Sequence, residues 1–229
     1  DVLKKVWTEM TGPGGAFEIE EITVRGFPMR TYKAAPPSLR EVWLSSCAFS
    51  ERPYLVFDDE TLTYGETHDR VNRMADWMQA LGLKPGDRVA IAMRNFPEWM
   101  QCYWAVVSSG LTVVGMNAWW VEDEMDYALN DASPKLLFAD EERLARFEGL
   151  RANYSDLPVV GIRCEARDWV TPFESLMQSE PQLPDRVIDP DSDACIFYTS
   201  GTTGRPKGAQ QTHRGCVHNI LNMGFWGGC

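Results

Sequence analysis

Short apolar runs alternate with longer amphipathic segments between residues 88 and 162. The apolar runs predict strands at 88–93, 111–116, 135–139 and 157–162. The segments between them space their apolar residues as helices do, and predict helices at 95–109, 121–130 and 140–151. Parallel strands need a long crossover connection, which a helix between successive strands supplies. The chain is therefore predicted to have an α/β fold with doubly wound, mostly parallel sheets flanked by helices.

Local signals place the ends of several helices. The sequence Thr-Tyr-Gly-Glu at 63–66 has the capping-box pattern, in which the first and last side chains each bond the other residue's backbone amide. The helix that follows is expected to end at Gly82. Asn95 is the predicted cap of the next helix, with Pro97 in its first turn, and Ser38 is the predicted cap of an earlier helix.

Breaks in these patterns divide the chain into three parts. Residues 1–37 have no clear periodicity and are expected to form an irregular leader. Residues 38–165 are the predicted first α/β lobe. Residues 166–229 are predicted to form a proline-containing linker and the start of a second lobe, with a strand at 193–199 that belongs to a second sheet.

Charge and cysteine content exclude several classes of function. A formal net charge of −11 argues against nucleic acid as a partner, because binding to a phosphate backbone needs clustered Lys and Arg. A nucleotide needs only one local positive site and is not excluded. The six cysteines form no Cys-x-x-Cys pair and no disulfide-like framework, which predicts a reducing compartment, the cytoplasm.

Two further features have some likeness to a metal site and to a membrane span. His213, Cys216 and His218 lie close in sequence, but their spacing matches no zinc pattern, so no metal ligands are predicted. The most apolar stretch, 103–120, is interrupted by polar residues and glycine and is shorter than the roughly 20 apolar residues of a transmembrane helix. No membrane span is expected.

A glycine- and hydroxyl-rich loop from Tyr198 to Gly208 carries the clearest chemical signal. Glycines let a ligand approach the backbone closely, and successive amides in a concave turn bind anions. Lys207 adds a compact positive charge of the kind that complements a polyphosphate. The hydroxyl groups of Thr199, Ser200, Thr202 and Thr203 can donate hydrogen bonds to anionic oxygens.

This loop matches neither of two common phosphate-binding patterns. The P-loop requires Gly-Lys-Ser/Thr five places after its first glycine, but Pro206 stands five places after Gly201, and Gly208 follows Lys207. The dinucleotide pattern Gly-x-Gly-x-x-Gly also fails at Gly201 and Gly204.

Thr-Ser-Gly-Thr-Thr-Gly-Arg-Pro-Lys-Gly at 199–208 resembles, at every defined position, the signature of the adenylate-forming superfamily, which includes acyl-CoA synthetases, luciferases and peptide-synthetase adenylation domains. Leu-Thr-Tyr-Gly-Glu at 62–66, Gly-Asp-Arg-Val at 86–89 and the segment 109–117 are similar to other family segments in the same order. The resemblance covers residues 38–229 and is closest to fatty-acyl and aryl CoA ligases.

The resemblance implies an enzyme that attacks the α-phosphorus of ATP with a carboxylate and then transfers the acyl group to coenzyme A. It assigns contact with the β- and γ-phosphates, with Mg²⁺ nearby, to Thr199, Ser200, Gly201, Thr202, Thr203 and Gly204. It assigns Lys207 to the same site, where its ammonium stabilises the charge of the leaving pyrophosphate. His213 is expected to be a packed or capping residue. The family's adenine-binding, magnesium-binding and ribose-binding segments and its C-terminal catalytic lysine are not found here. The chain alone is therefore expected to be catalytically inert.

The sequence is compatible with three hypotheses about function. The leading one is the front portion of an acid–thiol ligase for a fatty or aryl acid. The second is an adenylation enzyme with another acceptor, such as a carrier protein or, as in luciferases, oxygen. The third is a nucleotide-binding paralogue without catalysis, against which the intact loop glycines and Lys207 argue. The sequence does not determine the acid, the acceptor or the oligomeric state.

Overall fold

A computed structural model describes residues 2–199 and 205–227, and within them a mixed α/β architecture is centred on a seven-stranded sheet. The helices are α1 (Val2–Thr11), α2 (Leu39–Ser45), α3 (Tyr64–Ala80), α4 (Pro97–Ser108), α5 (Glu122–Ala132), α6 (Glu141–Leu150) and α7 (His213–Gly227). The strands are β1 (Ile19–Val24), β2 (Phe27–Tyr32), β3 (Pro53–Phe57), β4 (Glu60–Thr63), β5 (Arg88–Ala92), β6 (Thr112–Gly115), β7 (Leu136–Asp140), β8 (Val159–Ile162), β9 (Thr171–Pro172), β10 (Asp193–Thr199) and β11 (Lys207–Thr212).

The large sheet has the order β11-β10-β6-β5-β7-β8-β9. Every pairing is parallel except that of β10 with β11. The chain passes from β5 to β6 on one side, and then crosses to β7 on the other side of β5. This reversal of direction is the switch point at which open α/β sheets bind ligands. The predicted α/β fold with a mostly parallel sheet is confirmed.

Each strand of the sheet contributes to two separate cores because successive side chains point to opposite faces. On one face Val89, Ile91 and Phe138 pack with α2, α3, α4 and α7. On the other face Ala90 and Leu137 pack with α5 and α6. Helices on both faces explain why the strands are continuous apolar runs without polar alternation.

The predicted capping box at the start of α3 is confirmed. The Thr63 side chain accepts from the Glu66 amide at 3.1 Å, and the Thr63 amide donates to the Glu66 carboxylate at 2.8 Å. Ser38 caps α2 as predicted, accepting from the Arg40 amide. The prediction for α4 was wrong by one residue. Its cap is Phe96, without a side-chain bond, and Pro97 occupies the first helical position.

The sequence patterns predict an irregular leader over residues 1–37, but the structure has regular elements there. It contains helix α1 and an antiparallel hairpin of β1 and β2. The turn of this hairpin is Arg25-Gly26, and both residues have positive φ, 50° and 84°. Two successive positive φ angles are the conformation of a tight hairpin turn, which usually carries Asn-Gly or Asp-Gly. Because arginine occupies the first position here, the usual sequence signal for this turn is absent.

Strand β10 does not begin a second sheet, contrary to expectation. It pairs in parallel with β6, with Phe197 opposite Gly115. A parallel partner 82 residues away is not encoded in the local pattern of residues 193–199. The division of the chain near residue 165 stays a prediction. Within the described residues, no helix is long and apolar enough to cross a membrane.

Candidate functional site

The predicted phosphate-binding loop connects β10 to β11. The two strands pair antiparallel, and their last pair places Thr199 opposite Lys207. The Thr199 hydroxyl lies 3.5 Å from the Lys207 carbonyl oxygen. The structure thus brings the two ends of the signature together at the carboxyl end of β10. Ser200, Gly201, Thr202, Thr203 and Gly204 lie outside the described residues.

Lys207 is exposed, as is most of β11. Lys207 is the first residue of β11, and Thr199 is the last residue of β10. An ammonium group and a hydroxyl are both hydrogen-bond donors of the kind that bind phosphate oxygens. The assignment of these residues to an anion site stays a prediction.

Helix α5 holds both ends of the loop, a feature that sequence reasoning missed. The Tyr198 hydroxyl donates to Asp131 Oδ2 at 2.6 Å. The Arg205 guanidinium lies over the Tyr127 ring, 5.4 Å from its centroid. Burial, and then the bond to Asp131, raise the pKa of Tyr198 far above its usual range, so the hydroxyl stays protonated and donates. The only sequence signal was the presence of Tyr127 and Asp131 on one helix at i, i+4.

The close approach of β10 and β6 depends on Gly115. A Cβ atom at this position would lie 2.5 Å from Cε1 of the Phe197 ring. The ring of Phe197 therefore occupies the space that a side chain at residue 115 would need. Glycine here lets β10, and with it the start of the loop, pair closely with the sheet.

A cavity of about 610 Å³ opens at the carboxyl ends of the central strands. It contains Arg94 after β5, Trp119 after β6, Asp140 at the end of β7 and Arg163 after β8. The Arg94 guanidinium lies 4.2 Å from the centroid of Trp119. The cavity lies at the switch point, where the sheet topology favours a ligand site. Sequence analysis did not single it out, because these residues come together only through the crossovers.

Asp140 organises one wall of this cavity. It caps α6 by accepting from the Arg143 amide at 3.1 Å, and it also accepts from the Arg94 amide at 2.8 Å. Its carboxylate pairs with the buried Arg143 guanidinium at 3.1 Å, and that guanidinium also donates to the carbonyl of Ala118. The wall is therefore fixed by bonds that join the ends of three strands.

Arg163 is held at the opposite side of the cavity. It has a positive φ of 49° and pairs with Glu98 at 2.9 Å and Glu60 at 2.5 Å. Hydrogen bonds to Glu60 and Glu98 raise the pKa of Arg163 against the opposing effect of burial, so the guanidinium is permanently charged. Two carboxylates neutralise it, and it serves mainly to join β8 to α4 and β4.

His213 is a packed residue, as expected. It is completely buried, and its Nδ1 accepts from the Leu39 amide at 3.3 Å. Burial lowers its pKa to about 4, so the ring is neutral near pH 7. The other members of the sequence cluster have separate partners: His218 Nε2 lies 2.9 Å from the Thr31 hydroxyl, and Cys216 contacts Cys195. Within residues 2–199 and 205–227 no group of three metal-ligating side chains assembles.

Comparison with known proteins agrees with this geometry. The family of AMP-binding enzymes matches residues 45–228, and the chain belongs to this family. A 3-hydroxybenzoate–CoA ligase from Aromatoleum sp. (strain CIB) is 30% identical over 73% of this chain and 32% of its own length. A crotonobetaine/carnitine–CoA ligase from Salmonella heidelberg (strain SL476) is 28% identical over 82% of this chain and 38% of its own length.

A solved structure shares the fold. The anthranilate CoA ligase AuaEII in complex with anthranoyl-AMP superposes with a TM-score of 0.77 at 22% identity, covering 84% of this chain and 38% of the ligase. The chain thus spans about a third of the length of the relatives it matches.

Proposed function

We propose that the protein containing this chain activates a carboxylic acid with ATP as an acyl-adenylate and then transfers the acyl group to coenzyme A. The observation that carries the proposal is the pairing of Thr199 with Lys207 at the ends of the signature loop. Membership of the AMP-binding family and similarity to ligases that form CoA thioesters support the same reaction.

The chain's contribution to this reaction is to hold the departing end of ATP. The residues assigned to the β- and γ-phosphates are Thr199, Ser200, Gly201, Thr202, Thr203, Gly204 and Lys207. When the carboxylate attacks the α-phosphorus, negative charge moves onto pyrophosphate. The ammonium of Lys207 and the hydroxyl of Thr199 lower the energy of that charge if they are in place before the reaction. The ladder between β10 and β11 provides this preorganisation.

The proposed reaction also implies a metal ion and an acid substrate. Mg²⁺ accompanies the triphosphate in phosphoryl chemistry, and the ligands proposed for it here are phosphate oxygens, with no side chain of this chain. The acid is proposed to be of aromatic or fatty type. The protein is placed in the cytoplasm, consistent with the five described cysteines, which are all free thiols.

The decisive experiment is exchange of labelled pyrophosphate into ATP, catalysed by the longer protein that contains this chain. Exchange is expected only when a carboxylic acid is added, and a panel of aryl and fatty acids identifies the class. Thioester formation on addition of coenzyme A then separates a CoA ligase from an enzyme with another acceptor. If no acid in the panel supports exchange, the proposed reaction is wrong.

ATP binding by the 229-residue chain alone is a separate test of how much of the nucleotide site these residues form. We expect weak or no ATP binding in calorimetry, because the family's adenine-binding and ribose-binding segments are not recognised in it. Tight binding would mean that these residues alone complete a nucleotide site.

A further inference from the structure

Two thiols meet at the base of the loop that carries the phosphate-binding signature. Cys195 lies in β10 and is completely buried, whereas Cys216 lies in α7 and is partly exposed. Their Sγ atoms are 3.8 Å apart. Both lie near the side-chain oxygen of Gln211 in β11, at 3.8 Å and 3.5 Å. In the part of the chain that the structure describes, no other two cysteines are in contact.

We propose that Cys195 and Cys216 are a reversible oxidation site, at which a hydroperoxide converts the two thiols to an intramolecular disulfide. A disulfide bond is about 2.0 Å long, so the sulfur atoms must approach by less than about 2 Å. Small rotations of the two side chains provide a movement of this size. The exposed side of Cys216 gives the oxidant access, and the buried Cys195 lies behind it.

The surroundings of the two thiols determine which of them reacts first with the peroxide. A hydrogen bond from the Cys195 thiol lowers the pKa of Cys216, and that bond and burial raise the pKa of Cys195. Cys216 is therefore the thiolate that attacks, since the thiolate is the nucleophilic form of cysteine. The protonated Cys195 is the resolving thiol. Its proton points to Cys216 or to Gln211, whose oxygen accepts from either cysteine.

The chemistry balances in two steps. The Cys216 thiolate attacks one peroxide oxygen and the O–O bond breaks, giving a sulfenic acid and hydroxide or alkoxide. Cys195 sulfur then attacks the Cys216 sulfur and displaces hydroxide, while the thiol proton leaves with the hydroxide as water. The two sulfurs together lose two electrons and the peroxide gains them. With hydrogen peroxide, two thiols yield one disulfide and two molecules of water.

The bond would enclose residues 196–215, and with them the whole phosphate-binding signature. It would join β10 directly to α7, next to the point where β10 enters the loop. Closing this ring restricts the unfolded chain and so stabilises the fold. The oxidised protein is therefore expected to unfold at a higher temperature than the reduced protein.

The test uses the 229-residue chain with Cys229 replaced by serine (C229S). Trypsin does not cleave between Arg205 and Pro206, so Cys195 is recovered in the peptide 187–207. Cys216 is recovered in 215–229, which also contains residue 229, and the background substitution removes that ambiguity. The protein is treated with one equivalent of hydrogen peroxide, blocked with iodoacetamide, digested and analysed by mass spectrometry.

We expect the peptides 187–207 and 215–229 to be joined as the main product, lighter by two hydrogens, and separated again by a thiol reductant. C216S and C195S should abolish the joined peptide, whereas C47S, which removes an exposed thiol elsewhere, should leave its yield unchanged. The melting temperature should rise on oxidation in the parent and not in C216S.

Three results would overturn the proposal. One is loss of thiols without the 195–216 cross-link. Another is an equal rise of the melting temperature on oxidation in C216S and in the parent, and the third is a main cross-link through Cys47. The peptide map of the parent protein needs no variant, so a poorly folded variant does not remove the test.

Discussion

Thr199 and Lys207 face each other as the last residue pair of the antiparallel β10–β11 ladder. The seven residues between them contain most of the glycines and hydroxyls of the signature. A ladder that ends at this pair holds Thr199 and Lys207, the residues on either side of the signature's central segment, at one edge of the sheet. The proposed phosphate site depends on this pairing.

Replacement of Lys207 by alanine should impair the proposed reaction without affecting the fold. A charged hydrogen bond contributes roughly 1.5–3 kcal/mol, so pyrophosphate exchange by the longer protein should fall about tenfold to a hundredfold. Lys207 is exposed, and the melting temperature should not change. K135A is the matched control, because Lys135 is an exposed lysine that directly precedes β7 in the same sheet and lies far from the loop in the strand order. Equal exchange in K207A and the parent would disprove the role of Lys207.

Replacement of Gly115 by alanine should destabilise the chain by about 1–3 kcal/mol, the usual cost of overpacking. The new methyl group would collide with the ring of Phe197, where atoms would come within 2.5 Å. Urea unfolding measures the loss, and adding F197L should recover part of it. As a control, G224A should be neutral or stabilising, because a Cβ at Gly224 in α7 meets nothing within 4 Å. Simple additivity of G115A and F197L would contradict the proposed clash.

Removal of the Asp140 carboxylate should be strongly destabilising. D140A removes the buried carboxylate that pairs with Arg143, which is 1% exposed, and leaves that guanidinium only the half-exposed Glu142 carboxylate at 3.0 Å. Breaking a buried pair in this way costs about 3–5 kcal/mol in the free energy of unfolding. The double variant D140A/R143M should recover much of this loss, since it removes both charges. D156N, at an exposed aspartate, should change stability by less than about 0.5 kcal/mol. A small effect of D140A would mean that Glu142 or water compensates the charge of Arg143.

The Glu141 carboxyl should titrate at unusually low pH. Hydrogen bonds from Arg167, and then from the Glu165 amide, lower its pKa to about 2. Because the folded pKa is below the ordinary value of about 4.3, the stabilisation is present above that pH and is lost as the pH falls towards 2. Carbon-13 NMR of the carboxyl group measures the midpoint. R167Q should raise the Glu141 pKa. R151Q removes an arginine that lies over the Trp169 ring and has no part in the Glu141 shift, so it should leave the midpoint unchanged.

Features encoded within a few residues could be predicted from the sequence. The capping box at Thr63, the strand from Asp193 to Thr199 and the packed His213 all have local signals, and the structure agrees with them. The pairing of Phe197 with Gly115 joins residues 82 positions apart in the chain, and no local pattern specifies it.

The same distinction explains what was missed at the site. Tyr127 and Asp131 read as ordinary surface residues of a helix until the crossover places α5 beside Tyr198 and Arg205. The hairpin turn at Arg25-Gly26 was missed for a different reason. The turn is a local feature, but arginine is an unusual residue at its first position. Long-range contacts and atypical turn residues thus account for these differences.

The two-sided sheet also determines which changes in length the chain can tolerate. Phe138 and Leu137 belong to opposite cores, so one residue added inside β7 would exchange the two side chains between faces and disrupt both cores at once. The segment 179–192 contains no regular element and would absorb the same insertion. Over evolutionary time, insertions and deletions should therefore accumulate in such connections, while the strands change only by substitution.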